Sequence, residues 1–85
     1  MTILYHKEFL KNFKKFPLKI KDKFKERLTL FVKDEFDPTL NNHSLKGKYE
    51  GYRSINVTGD IRAVFKRNTR DAIFVYIDSH SNLYS

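Results

Sequence analysis

Cysteine is absent from this chain, so it has neither a disulfide framework nor a thiolate zinc site. No apolar run approaches the roughly 20 residues needed to span a bilayer, so no membrane partner is expected. The N-terminus lacks a charged region followed by a long apolar stretch. A secretory signal is therefore not expected, and the expected location is the cytoplasm. Glycine is scarce, with three in the chain. Gly47 and Gly51 frame a turn, and no Walker or dinucleotide pattern is present. Acidic residues are also few: ten Asp and Glu face seventeen Lys and Arg, a formal net charge of +7. Such an excess on a small domain attracts polyanions, nucleic acid first and an acidic protein segment second.

The 85 residues suit one domain, residues 1–85, with no room for a second core. Apolar residues make up 40% of the chain, with eight Phe and five Tyr as bulky core material. Its two halves differ in texture. Ile3-Leu4-Tyr5 reads as a short strand. Phe9, Phe13 and Phe16 then recur at helical spacing with Leu10 beside them. Pro17 interrupts that helix and opens a second one. The apolar face of this second helix is Ile20, Phe24, Leu28, Phe31, Val32 and Phe36, and Asp37-Pro38 stops it.

The second half reads as strands. From Tyr52 to Val57, Ile55 and Val57 point one way and Tyr52, Ser54 and Asn56 the other. Thr58-Gly59-Asp60 is a turn. Ile61, Ala63 and Phe65 alternate with Arg62, Val64 and Lys66. Residues 72–77 are almost wholly apolar, as in a strand covered on both faces. The expected fold is α+β, with an N-terminal strand and a helical hairpin packed on one face of a twisted, mainly antiparallel sheet. The other face is expected to be polar, basic and open to a ligand.

Three segments carry reactive side chains. They are His43 to Arg53 with Lys46 and Lys48, Gly59-Asp60-Ile61-Arg62, and Ser79-His80 to Tyr84. If hairpins bring them together, the set suits phosphodiester cleavage in RNA. There the 2′-OH loses a proton, the 5′-oxygen gains one, and the phosphorane carries extra negative charge. Imidazole suits the proton transfers, and Arg53 and Arg62 can hold phosphate oxygens in pairs of hydrogen bonds. Each residue also has a plainer role. His43 can be a solvated loop histidine and His80 a strand-end cap. Asp60 suits a tight turn for backbone reasons, Arg62 can pair with Asp60 or Glu50, and Tyr84 can anchor the chain end. Scattered as they are, two His and one Asp lack metal-ligand spacing, so no metal or other cofactor is expected.

The run His-x-Leu-x-Gly-x-x-x-Gly-Tyr-Arg at His43 to Arg53, then Asp60, an aliphatic-aromatic strand and a final Ser-His-Ser-x-Leu-Tyr, resembles the RelE/ParE toxin superfamily, its YafQ branch most of all. The resemblance covers residues 43–84, and the preceding helical hairpin fits the same architecture. It implies a ribosome-dependent mRNA endonuclease that cuts by 2′-OH attack without a metal. Its partners would be the ribosome with its mRNA and a cognate antitoxin, with operator DNA bound only through the antitoxin complex. In the YafQ-like pattern His43, Asp60 and His80 fall on proton-transfer positions, and Tyr84 on a terminal aromatic. In the RelE-like pattern Arg53 and Arg62 fall on cationic positions and Tyr84 on a catalytic Tyr. Lys46, Lys48, Arg53 and Lys66 are the expected RNA-binding cations. Asn56 stands where the YafQ pattern has a further His, and Ile55 where the RelE pattern has a Lys. Two other readings keep the charge pattern: a ParE-like gyrase-inhibiting toxin, and a non-catalytic RNA-binding domain.

Overall fold

The computed structural model describes residues 1–83. The chain runs β1 (Thr2–Tyr5), α1 (Lys7–Phe13), α2 (Leu18–Lys33), β2 (His43–Ser44), β3 (Arg53–Asn56), β4 (Ile61–Arg67), β5 (Asp71–Ser79) and α3 (His80–Leu83), with 3₁₀ turns at Pro38–Leu40 and Gly47–Tyr49. The five strands form one sheet in the order β1-β5-β4-β3-β2. β1 pairs in parallel with β5, and every other pairing is antiparallel. The expected α+β layout therefore holds.

α1 and α2 cover one face of the sheet, and the junction between them follows from Pro17. Its ring fixes φ at −66°, it caps α2 in extended conformation, and α2 begins at Leu18. The core between helices and sheet is aromatic. Phe74 on β5 is fully buried and meets the rings of Tyr5, Phe9, Phe24, Phe31 and Phe65 at centroid separations of 5.2–6.2 Å. Ile55, Val57, Ala63 and Ala72 fill the spaces between them. A bidentate ion pair from Arg67 to Glu35, at 3.1 and 3.2 Å, ties the end of β4 to the loop after α2. The Glu35 hydrogen bond raises the Arg67 pKa above its ordinary value.

Four residues of the two helical stripes depart from the periodic expectation. α1 stops at Phe13, so Phe16 packs against the core from the connecting turn. Leu10, Val32 and Phe36 are more than half exposed. Val32 lies one residue round the helix from the buried Phe31. Phe36 lies beyond the end of α2, where its ring receives the Arg53 guanidinium at 5.6 Å.

The far face of the sheet also differs from expectation. It is only partly open, because α3 folds back over it. Leu83 buries itself against Leu45 and Val64, with Tyr49, Tyr52, Val75 and Tyr76 around them. Ser54, beneath this second cluster, is fully buried. A β-bulge helps build the cluster. Val64 pairs with Tyr76 but Phe65 pairs with Phe74, leaving Val75 as the extra residue on β5. Val75 and Tyr76 both pack in the second cluster, while Phe74 and Ile77 remain in the helix-side core.

Candidate active site

The site grows out of strand register. In a sheet, directly paired residues share a face. His43 pairs with Ser54, Ser54 with Val64 and Val64 with Tyr76. The next row toward the β3–β4 turn is Asn56, Arg62 and Asp78. One step further, Ile61 pairs with Ser79, and the His80 amide donates to the Asp60 carbonyl at 2.8 Å. Asp60 and His80, 20 residues apart in sequence, are thus neighbours at one end of the sheet. Arg62 is one row inward.

Local chemistry holds each group. The Thr58 hydroxyl accepts from the amides of Asp60 and Ile61 at 3.2 and 3.0 Å, which shapes the turn that presents Asp60. Arg62 Nη1 donates to the carbonyls of Thr58 and Gly59, both at 3.0 Å. The expected pairing with Asp60 or Glu50 is thus replaced by a staple across the turn. Asp78 Oδ1 accepts from the Ser79 amide and the Asn82 side chain, and Ser79 Oγ accepts from the Asn82 amide. These bonds wind the tail into the single turn of α3, which starts at His80. His80 is therefore the first residue of a helix, and it is exposed.

His43 lies on the same face, two strands from β4 and so about 10 Å across the sheet. Its Nδ1 is 2.8 Å from the Asn41 carbonyl. A carbonyl only accepts, so Nδ1 carries the proton, and the lone pair of the neutral ring is on Nε2. Between His43 and Arg62 the floor is polar and unsatisfied. Ser54 Oγ and Asn56 Oδ1 are buried and have no hydrogen-bond partner among the described residues. Unpaired buried polar atoms cost about 1–3 kcal/mol each, and where they persist a functional reason is worth seeking.

The cations divide. Lys66 reaches over the Tyr52 ring at 5.6 Å and Lys48 over the Tyr49 ring at 5.4 Å, while Lys46 is exposed at the head of the 3₁₀ turn. Arg53 corrects the expectation. It pairs with the core residue Phe65, donates from Nε to Asn42 Oδ1 at 2.8 Å, and lies against Phe36. It therefore faces the helix side, away from Arg62, and cannot share a phosphate with it. Tyr84 lies outside the described residues. Among the described residues no three His, Asp or Glu side chains gather in a way that could hold a metal ion. No helix among them is long and apolar enough to cross a membrane.

Two groups on this face were not singled out from sequence. Asp78 sits opposite Arg62 only because of the register. Simple alternation with Ala72 and Phe74 would send Tyr76 to the core, and the bulge at Val75 reverses it. No residue type in this stretch signals the bulge.

The family model for YafQ, bacterial toxin of the type II toxin–antitoxin system, matches residues 1–85. The chain belongs to the YafQ toxin family. Solved structures agree on the fold. YafQ from Escherichia coli superposes with a TM-score of 0.82 at 22% identity, covering 98% of this chain and 97% of that one. The toxin in the E. coli DinJ–YafQ complex gives 0.79 at 23%, covering 98% and 96%. A metal-bound toxin from Helicobacter pylori gives 0.73 at 26%, covering 99% of each chain. A search of curated proteins found no match. The chain shares the α+β fold of these structures, with a helical hairpin on one face of a mixed five-stranded sheet.

Proposed function

We infer that this YafQ-family toxin is a ribosome-dependent mRNA endonuclease that cleaves by metal-independent 2′-OH attack and so stops translation. The carrying observation is the register at one sheet end, which sets Asp60 beside His80 with Arg62 one row in. In this reading Asp60, or His43 through Nε2, takes the 2′-OH proton, and His80 gives a proton to the leaving 5′-oxygen. Arg62 offers the rest of its guanidinium to the phosphorane while Nη1 holds the turn. Lys46, Lys48 and Lys66 attract the backbone, in a chain whose net charge is +7. Tyr84 keeps the catalytic role that the family resemblance implies.

The partner that restrains the toxin is a cognate antitoxin with an acidic toxin-binding segment. The complex of DinJ with E. coli YafQ supports this assignment. Operator DNA is met only through that complex, and the working compartment is the cytoplasm.

The deciding experiment is induced expression in cells with mapping of mRNA 5′ ends. In-frame cuts inside translated codons are expected. DNA breaks with translation still running would point instead to a gyrase poison. Growth arrest without cuts, abolished by multiple Lys→Ala changes but not by His80→Ala, would point to a pure RNA binder.

A further inference from the structure

One groove on the far face takes no part in the proton transfers above. It has a volume of about 310 Å³ and is lined by Tyr49, Tyr52, Val75, Tyr76 and Lys48, with His6 and Glu8 from the start of α1. Its walls come from three separate devices. Gly47 and Gly51, at φ of +68° and +91°, allow the tight loop that carries Tyr49. The Tyr52 amide donates to the Tyr49 carbonyl at 2.9 Å, and the two rings meet at 81° with centroids 6.2 Å apart. The bulge at Val75 brings Tyr76 to this face.

The chemistry of this lining is specific. Three phenol rings are combined with the Lys48 ammonium, which lies over Tyr49, and with His6 and Glu8 at one edge; Lys66 is outside the lining but lies over the Tyr52 ring. Flat aromatic surfaces flanked by cations are what a single-stranded nucleic acid requires. Bases stack on rings and phosphates meet lysines. An acidic peptide would use the lysines through its carboxylates, which have no flat face to lay on the tyrosines. The position also fits. Tyr76 precedes Asp78 by two residues, about 7 Å along β5, and Asp78 is paired with Arg62. A strand whose phosphate lies at Arg62 therefore passes the groove within a short step along its backbone.

We propose that this groove is a stacking subsite for a nucleobase of the single-stranded RNA next to the scissile bond, with Tyr49 and Tyr76 as the platform and Lys48 and Lys66 on the flanking phosphates. The subsite rests on the endonuclease reading above for its place relative to the cut. It contributes affinity and alignment and has only a mild base preference, because every base has a flat face. Tyr49 and Tyr76 are thus positioning residues for the substrate.

The test uses fluorescence anisotropy of the purified protein with a single-stranded RNA hexamer that is 2′-O-methylated throughout and so cannot be cut. Tyr49→Ala is expected to weaken binding about tenfold or more, and Tyr49→Phe to restore it. Removing the base from the nucleotide that reaches the groove, found by scanning an abasic position along the hexamer, should weaken wild-type binding equally. That same change should cost Tyr49→Ala less than about twofold, since the two alterations remove one contact. Lys48→Ala should lower the salt slope by about one. Circular dichroism checks that each variant is folded.

Independent, additive effects of Tyr49→Ala and the abasic change would overturn the subsite. So would an unchanged affinity in Tyr49→Ala, or no binding of the hexamer by the wild type. Loss of antitoxin binding with RNA binding intact would reassign the groove to the protein partner. The two readings fail separately. Missing in-frame cuts with Tyr49-dependent hexamer binding would sink only the nuclease. In-frame cuts with indifference to Tyr49 would sink only the subsite.

Discussion

Replacing Arg62 separates a structural role from a chemical one. In the folded chain, its Nη1 makes two hydrogen bonds of 3.0 Å to the carbonyls of Thr58 and Gly59, across the turn that presents Asp60. A hydrogen bond to a charged group is worth about 1.5–3 kcal/mol net in a protected site. Arg62 is only half-buried, so water competes and the pair together should stabilise by about 1–2 kcal/mol. For a domain of this size each kcal/mol moves Tm by about 4–8 °C, so Arg62→Ala should melt roughly 10 °C below wild type. Arg62→Lys keeps a cationic donor without the planar fork and should recover part of that loss.

Cleavage should respond on another scale. Losing a cation that meets the phosphorane costs about 10²–10³ in rate. Lys, a point charge without the planar fork, should restore little of it if Nη1 must hold the turn while the other nitrogens meet phosphate. The paired assays are thermal melting and mRNA cleavage in a translating extract, scored at a temperature where both variants are folded. Arg62→Ala that melts early yet cuts within about threefold of wild type would refute the phosphate contact and leave Arg62 as a turn staple. An unchanged Tm would refute the energetic argument.

Asp60→Ala or His80→Ala should lower mRNA cleavage at least about 10²-fold with the melting transition preserved, and full toxicity in both single variants would remove them from the mechanism. Cleavage should persist in EDTA at concentrations that leave ribosomes intact, and a strict metal requirement would demand different chemistry. Phe74→Ala empties the centre of the aromatic core and should cost about 3–5 kcal/mol in urea unfolding, and less than about 2 would mean the core collapses around the gap. Burial raises the Tyr5 pKa above its ordinary 10.0, so folding favours the neutral phenol. Stability should therefore be fully present below pH 10 and fall as pH rises from there through the folded value, more steeply in wild type than in Tyr5→Phe. Equal slopes would show that Tyr5 ionises as freely folded as unfolded.

What could be read in the chain was whatever depends on neighbours a few residues away. Helical recurrence of Phe9, Phe13, Phe24 and Phe31 identifies the core faces of α1 and α2, because side chains three or four apart stack on one side. Alternation over 52–66 separates Ile55, Val57, Ala63 and Phe65 from Tyr52, Ser54, Asn56 and Arg62, and the sheet keeps that division. Periodicity overran the end of α2 at Phe36 and put Val32, inside the helix, on the core face although it points to solvent. An apolar residue type does not reveal where a helix stops, and both are more than half exposed.

The remaining features were decided between strands, where no local pattern speaks. Pairing set Asp60 beside His80 and Asp78 across from Arg62. One inserted residue, Val75, turned Tyr76 out of the core. Arg53 looked equivalent to Arg62 in sequence, yet its odd position on β3 sends it to the helix side, where Asn42 and Phe36 hold it. The bend of the tail into α3 closed part of a face that composition alone left open. Sequence by itself determined the apolar stripes, the strand faces and the positive charge, since these follow from residue type and short-range spacing. Register, bulge and the folded-back tail came only from long-range pairing, whose geometry depends on which strands lie side by side.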